Sequence, residues 1–304
     1  MPKIWKSAKV TALFKSGDKK NMDNFRSISL LPAISKVIES VVFEHLHHYL
    51  LENQLLSQKQ FGFRKNHSTT DALLCIQKTT LNAIEKKKKA IIITLDLFKA
   101  FDSVDHNLLL LKLFMIGCDL ISMKWFKSYL SNRSQAVSHK GSLSRLRSIN
   151  LGVFQGSILG PLLFCIFIND LSRLNLKGEI VFFADDCSLI LTGDTYQEVE
   201  ECANHDLQLI EKWLKANRLI LNVKKSNYLI INLNHRSIND LNIVICNERL
   251  IRVTKVKILG VFFDDRFVFD QHINSLSKKM NQRIGLLSRL RHFPPEKILV
   301  IVYN

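Results

Sequence analysis

Two short segments of the chain end in carboxylates that could bind metal ions. Residues 91–95 form a mostly apolar run that leads to Asp96, and residues 180–184 form an apolar run that leads to Asp185 and Asp186. Carboxylate oxygens are ligands that hard divalent cations prefer, and three at strand ends can hold two cations for in-line phosphoryl transfer. An adjacent aspartate pair alone is more typical of a solvated turn. The third carboxylate, Asp96, favours a two-metal site.

The elements around these carboxylates predict an α+β fold. Residues 91–96 are predicted to form a buried strand, and residues 179–191 two strands joined by a tight turn. Strands and helices are mixed without a strict βαβ order, which favours an antiparallel sheet backed by helices. Apolar side chains at a helical period after residue 30 predict a helix with one buried face. That face comprises Ile34, Val37, Ile38, Val41, Val42, Leu46 and Tyr49.

Three further elements are predicted from apolar patterns. Residues 162–171 are apolar nearly all round, which indicates a buried helix. Residues 256–264 are predicted to form a single strand with a central glycine. From Gln271 the helical period returns, and the opposite face of that helix is basic.

Composition and charge favour a nucleic-acid partner. The 304 residues include 43 Lys and Arg against 27 Asp and Glu, a formal net charge of +16, and the pI is about 9.6. Lysines are spread along the chain rather than gathered in a tail, so we expect a basic groove formed in three dimensions. A generally basic protein is the alternative.

Cysteine spacing and hydropathy indicate the cellular compartment of the protein. The six cysteines show neither paired nor zinc-like spacing, so we expect reduced cysteines of an intracellular protein. The N-terminus does not resemble a secretory signal. The longest apolar run, residues 158–168, is far shorter than the roughly 20 residues that span a bilayer. We therefore expect a protein of the nucleus or cytoplasm, not secreted and without a membrane partner.

Seven short motifs follow one another along the chain: residues 25–30, 60–64, 95–106, 152–161, 183–186, 222–226 and 258–261. Each motif alone is moderate evidence, but their common order and rough spacing argue against chance. In this order the chain resembles the reverse transcriptases of non-LTR (LINE, jockey-like) retrotransposons. The resemblance extends over nearly the whole chain, from Trp5 to about Arg291.

The resemblance implies a right-hand polymerase fold and a reaction. Residues 1–89 would form the fingers, residues 90–265 the palm with a helical insertion at about 107–150, and residues 266–304 the truncated start of a thumb. The implied activity is RNA-directed DNA polymerisation, the addition of dNTPs to the 3′-hydroxyl of a DNA primer on an RNA template. It would use two Mg²⁺ ions, or Mn²⁺ in their place. The sequence assigns no oligomeric state.

The resemblance also assigns catalytic roles. Asp96 and Asp185 match the principal metal ligands of the family, and Asp186 matches an adjacent, supporting carboxylate. Lys225 matches a lysine that acts as general acid toward the departing pyrophosphate. An ordinary surface lysine is an equally weighted alternative for Lys225.

Further residues match contacts with the nucleotide and the nucleic acid. Lys15 and Arg26 would bind the triphosphate through charge-assisted hydrogen bonds. Phe101 would exclude a ribose 2′-hydroxyl, the alternative being an ordinary core phenylalanine. The loop at Gln155 and Gly156 would approach the nascent base pair. The expected primer and template contacts are Gly260, in a hairpin that the resemblance implies, and the thumb-helix residues Lys278, Lys279 and Arg283.

Three positions depart from the family pattern. Ser27 and Phe154 stand where the family prefers proline, and Ser226 stands where it usually has threonine. Loss of the proline at 154 is expected to loosen a loop near the nucleotide. The three carboxylates are unaffected, so the departures bear on efficiency more than on identity.

Two other functions stay open at this point. A non-catalytic remnant of a mobile element would keep the basic groove and bind nucleic acid without extending a primer. An RNA-dependent RNA polymerase shares the palm chemistry. Phe101 argues against this second alternative, because such an enzyme needs room for the 2′-hydroxyl.

Overall fold

Helices and short strands make up the described part of the chain, which in the computed structural model comprises residues 1–15, 17–139, 141–233 and 238–290. The α-helices in these ranges are α1 (Ala33–Glu52), α2 (Thr69–Glu85), α3 (His106–Met115), α4 (Leu120–Leu130), α5 (Leu159–Ile168), α6 (Tyr196–Ala216) and α7 (Asp270–Leu290). The strands are β1 (Ser7–Phe14), β2 (Phe25–Leu30), β3 (Lys89–Asp96), β4 (Arg133–His139), β5 (Ser142–Leu143), β6 (Arg147–Ile149), β7 (Glu179–Phe183), β8 (Asp186–Gly193), β9 (Asn227–Ile231), β10 (Val244–Ile245), β11 (Glu248–Arg249), β12 (Ile251–Val253), β13 (Lys255–Ile258) and β14 (Val261–Asp264).

A five-stranded central sheet carries the predicted site. Its strand order is β12-β9-β3-β8-β7. Neighbouring strands pair antiparallel except β12 and β9, which pair parallel. β3 therefore lies at the centre between β8 and β9. The predicted α+β class, with an antiparallel sheet backed by helices, is confirmed, with one parallel pair at the edge.

Both faces of β3 are covered by other elements. Ile91, Ile93 and Leu95 belong to the larger hydrophobic core, together with residues of α1 and α3 to α6. Ala90 and Ile92 belong to a smaller core with residues of α2, β13 and β14. All five residues are at most 3% exposed, and their alternation follows the two-residue period of a strand. The central strand is thus held between two layers, which fixes the position of its carboxyl end.

The buried helix predicted over residues 162–171 is α5. It begins three residues earlier, at Leu159, and passes at Asn169 into a short 3₁₀ helix, Asn169–Arg173. Nearly all of its side chains are buried in the larger core. The apolar composition on all sides of the helix therefore correctly predicted that it is buried, and only the predicted first and last residues differ from those observed.

A second sheet joins the N-terminal strands to the segment after α4. Its order is β2-β1-β4-β5, with β6 also paired to β4. β1 pairs antiparallel with β2 and parallel with β4. The predicted insertion in the palm thus shares a sheet with the predicted fingers. The boundaries at residues 89 and 265 stay predictions.

The predicted buried face of α1 is correct near the end of the helix, where Leu46 is 7% exposed, and wrong at three positions before it. Ile34, Val37 and Val41 are 49 to 60% exposed, whereas Glu39 is fully buried. The carboxylate of Glu39 accepts hydrogen bonds from the amide of Ile158, at 2.9 Å, and from the next amide at the start of α5. Capping α5 turns this side of α1 inward, because a buried helix N-terminus needs acceptors for its free amides.

The single strand predicted over residues 256–264 is also wrong. The segment forms a hairpin in which β13 pairs antiparallel with β14. Leu259 and Gly260 make the turn with φ of +47° and +92°, the left-handed values that a tight two-residue hairpin turn requires. The hairpin implied by the family resemblance is therefore the one observed.

The helix predicted from Gln271 is α7, which packs against β14. Most of its side chains are exposed, among them Ile273 and Met280 at 55% and 57%. Residues 291–304, the rest of the predicted thumb segment, lie outside the described residues. Among the helices that the structure describes, none has the length and apolar character needed to cross a membrane.

Candidate active site

Three predicted carboxylates lie at one edge of the central sheet. β3 and β8 pair so that Asp96 lies opposite Asp186. Asp185 lies in the turn between β7 and β8, directly after Ala184. The turn is tight, and Ala184 adopts φ of +58°, a left-handed conformation that is uncommon for a residue other than glycine. The predicted grouping of Asp96, Asp185 and Asp186 is thus present in the fold.

The charges of these carboxylates act on one another. Partial burial, and then the negative charges of Asp185 and Asp96, raise the pKa of Asp186 to about 6. Asp186 keeps access to solvent at the hairpin tip, so surrounding protein atoms desolvate its carboxyl only in part. Burial also raises the pKa of Asp96, and Asp185 adds to that increase. The cluster therefore holds negative charge at an energetic cost, which a bound cation would relieve.

The chemistry of this donor set fits a hard divalent cation. No three His, Cys, Asp or Glu side chains within the described residues lie close enough together to form a ready-made metal cage. The three carboxylates nevertheless offer only oxygen donors, and they repel one another at the ends of β3 and β8. Oxygen donors and excess negative charge are what Mg²⁺ and Mn²⁺ sites in proteins require.

The segment Asn222–Ser226 holds the end of β3. The Asp96 amide donates to Ser226 Oγ at 3.1 Å, and the Asn222 amide donates to the Asp96 carbonyl at 2.8 Å. The Asn222 side chain also hydrogen-bonds the Asp96 carboxyl and lowers its pKa. Ser226 is 1% exposed, and its hydroxyl accepts from the Asp96 amide and donates to the Asn222 carbonyl at 3.0 Å. The serine at this position therefore supplies the hydroxyl that the usual threonine would supply.

Three predicted cations surround the carboxylate edge. The positive charge of Lys225 lowers the pKa of Asp96, and Lys15 has a smaller effect in the same direction. Arg26 lowers the pKa of Asp186. All three side chains are exposed, so they are free to reach a ligand. The structure brings these cations and the carboxylates together, and their individual roles stay predictions.

Phe101 lies between the core and the site. It belongs to the short 3₁₀ helix Ala100–Ser103 that follows β3. Its ring stacks on the buried Phe164 at 4.4 Å between centroids, and Phe63 contacts it edge-on at 6.1 Å. The residue is half-buried. Phe101 is thus anchored in the core on one side and keeps some exposed surface, so both predicted interpretations remain compatible with the structure.

The loop at Gln155 and Gly156 is tied to β2. The Ser29 amide donates to the Gln155 carbonyl at 2.7 Å. Gly156 has φ of +115°, and a Cβ there would lie 2.5 Å from the Ser29 carbonyl oxygen, so the close approach requires glycine. Phe154 is 9% exposed, and its carbonyl accepts from the Ser157 amide and hydroxyl. Core packing and these hydrogen bonds hold the loop where the family has proline.

The predicted primer and template residues lie on other elements. Gly260 sits at the tip of the β13–β14 hairpin, and no atom of the described residues lies within 4 Å of the position that a Cβ would take. Lys278, Lys279 and Arg283 are exposed on α7. The described part of the chain therefore places these residues on open surface rather than among the carboxylates.

Two residues outside the predicted site, Gln60 and Gly62, contact the turn between β7 and β8. The Gln60 side-chain oxygen accepts from the Gly62 amide at 2.8 Å and from the Ala184 amide at 3.1 Å. Gly62 lies so close to the turn that a Cβ would be 2.2 Å from the Ala184 nitrogen. The sequence presents residues 60–64 only as a motif, because nothing in their spacing points to residue 184.

Comparisons with known proteins identify the family of the chain. The sequence model of the family described as reverse transcriptase (RNA-dependent DNA polymerase) matches residues 17–284. A probable RNA-directed DNA polymerase from transposon BS of Drosophila melanogaster is 30% identical over 297 residues, which cover 94% of this chain and 32% of that protein. The RNA-directed DNA polymerase from mobile element jockey of the same species is 29% identical over 301 residues, 95% of this chain and 32% of the relative. The chain thus spans about a third of the length of these relatives.

Solved structures show the same fold. Apo telomerase from Candida tropicalis aligns with a TM-score of 0.59 at 12% identity, over 88% of this chain and 48% of that one. Telomerase from Candida albicans in complex with a fragment of telomeric RNA aligns with a TM-score of 0.56 at 15% identity, over 88% and 46% of the two chains. The chain belongs to the reverse transcriptase (RNA-dependent DNA polymerase) family, and it resembles the members carried by jockey-like, non-LTR mobile elements.

Proposed function

We propose that the chain is the polymerase part of a non-LTR retrotransposon protein and extends a DNA primer with dNTPs on an RNA template. The observation that carries this proposal is the register of β3 and β8, which sets Asp96 opposite Asp186 beside the Asp185 turn. Membership of the reverse transcriptase family supports it.

The carboxylates would form the metal-binding part of the site. Asp96 and Asp185 would be the principal ligands, and Asp186 would support them from the opposite strand. Two bound Mg²⁺ ions, or Mn²⁺, would lower the pKa of the primer hydroxyl and neutralise charge on the departing pyrophosphate. Burial is the larger cause of the raised pKa of Asp186, and metal binding would relieve the part that comes from the charges of Asp185 and Asp96.

The surrounding cations would bind and protonate the phosphate groups. Lys15 and Arg26 extend from the β1–β2 region toward the carboxylates, where they would hold the triphosphate by charge-assisted hydrogen bonds. Lys225 would deliver a proton to the leaving pyrophosphate oxygen. Its closeness to Asp96 supports this role.

Two further features would select and place the nucleotide. The partly exposed ring of Phe101, braced on Phe164, would leave no room for a ribose 2′-hydroxyl. The Gln155–Gly156 loop, fixed to Ser29, would bring backbone atoms close to the new base pair. This arrangement favours dNTPs over ribonucleotides and so argues against an RNA-dependent RNA polymerase.

The nucleic acid would lie along a basic surface. The net charge of +16 favours binding of phosphate backbones. The tip of the β13–β14 hairpin at Gly260 would contact the primer, and Lys278, Lys279 and Arg283 on α7 would contact the duplex. The described cysteines are all free thiols, which supports a location in the nucleus or cytoplasm.

A primer-extension assay tests the proposal. Purified protein with an RNA template, an annealed DNA primer, Mg²⁺ and dNTPs should extend the primer, and omission of Mg²⁺ should stop extension. Protein that binds the primer–template but incorporates no nucleotide, with Mg²⁺ or with Mn²⁺, would instead identify an inactive remnant of a mobile element.

A further inference from the structure

The side chain of Gln60 contacts the turn between β7 and β8, which contains Ala184 and Asp185. The residue is 2% exposed, in the loop between α1 and α2. Its side-chain oxygen accepts from the amide of Gly62 at 2.8 Å and from the amide of Ala184 at 3.1 Å. Two backbone donors require an oxygen at this position, so the orientation of the side-chain amide follows from the hydrogen bonds. One atom therefore links the loop to the residue before Asp185.

The turn that Gln60 contacts needs support from outside. Ala184 has φ of +58°, a strained conformation that persists where surrounding structure holds it. Its amide lies beyond the last pair of the β7–β8 ladder, Phe183 with Asp186. A buried amide without an acceptor would be costly, and Gln60 supplies that acceptor.

Hydrogen bonds also fix the loop that carries Gln60. The Phe61 amide donates to the Phe182 carbonyl, and the Phe182 amide donates to the Lys59 carbonyl, both at 2.9 Å. These bonds extend the central sheet beyond β7. Arg64 Nη1 closes the loop by donating to the carbonyls of Ser57, at 2.6 Å, and of Gln60, at 3.2 Å. Backbone pairing therefore fixes the base from which the Gln60 side chain reaches the turn.

The chemistry of the residue fits this task. The Gln60 side-chain nitrogen is buried and has no hydrogen-bond partner among the described residues. A buried donor without a partner does not stabilise the fold. The favourable polar contacts of this side chain therefore come from its oxygen. A neutral acceptor also adds no further negative charge next to Asp185.

We propose that Gln60 is a positioning residue, whose side-chain oxygen holds the Ala184–Asp185 turn so that Asp185 can share a divalent cation with Asp96. The inference rests on the proposed polymerase function for the identity of the site. It adds that metal affinity depends on a fingers-loop residue that does not itself bind the metal.

Metal binding measured without turnover tests this role. Mn²⁺ serves as the probe, because electron paramagnetic resonance counts free ions directly. Gln60→Met keeps the length of the side chain but removes the acceptor, and we expect its Mn²⁺ dissociation constant to rise about five- to tenfold. Gln197→Met changes an exposed glutamine of α6 and should leave Mn²⁺ affinity within twofold. Circular dichroism establishes that each variant is folded at the temperature used.

Two further variants separate positioning from packing. Gln60→Glu retains the acceptor oxygen, so its Mn²⁺ affinity should fall less than that of Gln60→Met. Gln60→Asn is shorter by one methylene, so its oxygen no longer reaches the turn, and it should lose Mn²⁺ affinity as Gln60→Met does. If Gln60→Met fails to fold, Gln60→Asn provides the test in its place. Unchanged Mn²⁺ affinity in folded Gln60→Met or Gln60→Asn, or equal loss in Gln60→Glu, would overturn the inference.

Kinetics adds a second readout that separates this inference from the proposed function. In primer extension, Gln60→Met should lower kcat about 10- to 100-fold, raise the Mg²⁺ concentration for half-maximal rate and leave KM for dNTP within threefold. If the wild type extends no primer, the proposed function fails, and the Mn²⁺ series still decides the role of Gln60.

Discussion

Asp96 and Asp186 are direct cross-strand partners in the pairing of β3 with β8. The pair immediately before them, Leu95 and Cys187, is 3% and 6% exposed and lies in the larger core. A slip of one residue would turn this buried pair to the other face of the sheet and would separate the carboxylates. The core therefore sets the register that brings the two acidic side chains together.

The first prediction concerns the carboxylates as a unit. Asp96→Asn or Asp185→Asn keeps the size of the side chain but removes a charged metal ligand, so we expect single-nucleotide incorporation to fall at least about 1,000-fold. Primer–template affinity, measured by fluorescence anisotropy, should stay within about threefold. Asp194→Asn, an exposed carboxylate beyond the far end of β8, is the matched control and should remain active. Extension by Asp185→Asn would contradict the assignment.

The second prediction concerns pH. Without metal, the pKa of Asp186 is about 6 because of partial burial and the charges of Asp185 and Asp96. Below that pH the carboxyl is protonated and cannot bind a cation, so Mn²⁺ affinity should fall up to about tenfold per pH unit as pH decreases below 6. A titration from pH 8 to pH 5 measures this. In Asp186→Asn, Mn²⁺ affinity should depend less steeply on pH below 6. An equally steep dependence in the variant would mean that another group takes up the proton that weakens Mn²⁺ binding.

The third prediction concerns the stability of the metal-free protein. Because the pKa of Asp186 is raised to about 6 from 3.8, the native state binds this proton more tightly than the unfolded state does. The stabilisation from this group is therefore fully present below about pH 4 and is lost as pH rises through 6. In EDTA at pH 7.5, Asp186→Asn should raise Tm by about 1–3 °C, a small effect since the tip is solvent-screened. The difference should vanish at pH 4, and a lower Tm at pH 7.5 would contradict it.

The fourth prediction concerns sugar selection. Phe101→Ala would remove the ring that Phe164 and Phe63 brace, so the ratio of kcat/KM for dNTP over the matching ribonucleotide should fall at least about tenfold. Phe114→Ala removes a ring that is 59% exposed on α3 and should not change the ratio. An unchanged ratio in folded Phe101→Ala would mean that Phe101 is a core residue and not a gate.

Local patterns predicted the elements that form the centre of the site. The apolar runs before Asp96 and Asp185 became β3 and β7, and the adjacent carboxylates mark the turn between β7 and β8. These features depend on neighbours in the chain, through strand periodicity and turn chemistry. The order of motifs then supplied the fold, which the sequence model of the family and the telomerase structures confirm.

Long-range polar contacts could not be predicted in the same way. Apolar periodicity placed Ile34 and Val37 in the core, but Glu39 caps α5 from the other face of the helix. Gln60 likewise contacts Ala184, a residue far along the chain. In both cases the polar side chain satisfies a distant backbone amide, and a hydropathy pattern carries no information about the partner.

The fifth prediction concerns the basic face of α7. Lys278, Lys279 and Arg283 are exposed there, and their joint replacement by alanine should weaken primer–template binding about 10- to 100-fold in low salt. The slope of log K against log salt concentration should become shallower by about 2–3, since each phosphate contact contributes about 0.9. Residues 86–88 are the matched control: Lys86, Lys87 and Lys88 are exposed too, beyond the amino end of β3. Their triple alanine variant removes the same charge, so equal weakening by both variants would show that net charge and not α7 binds the duplex.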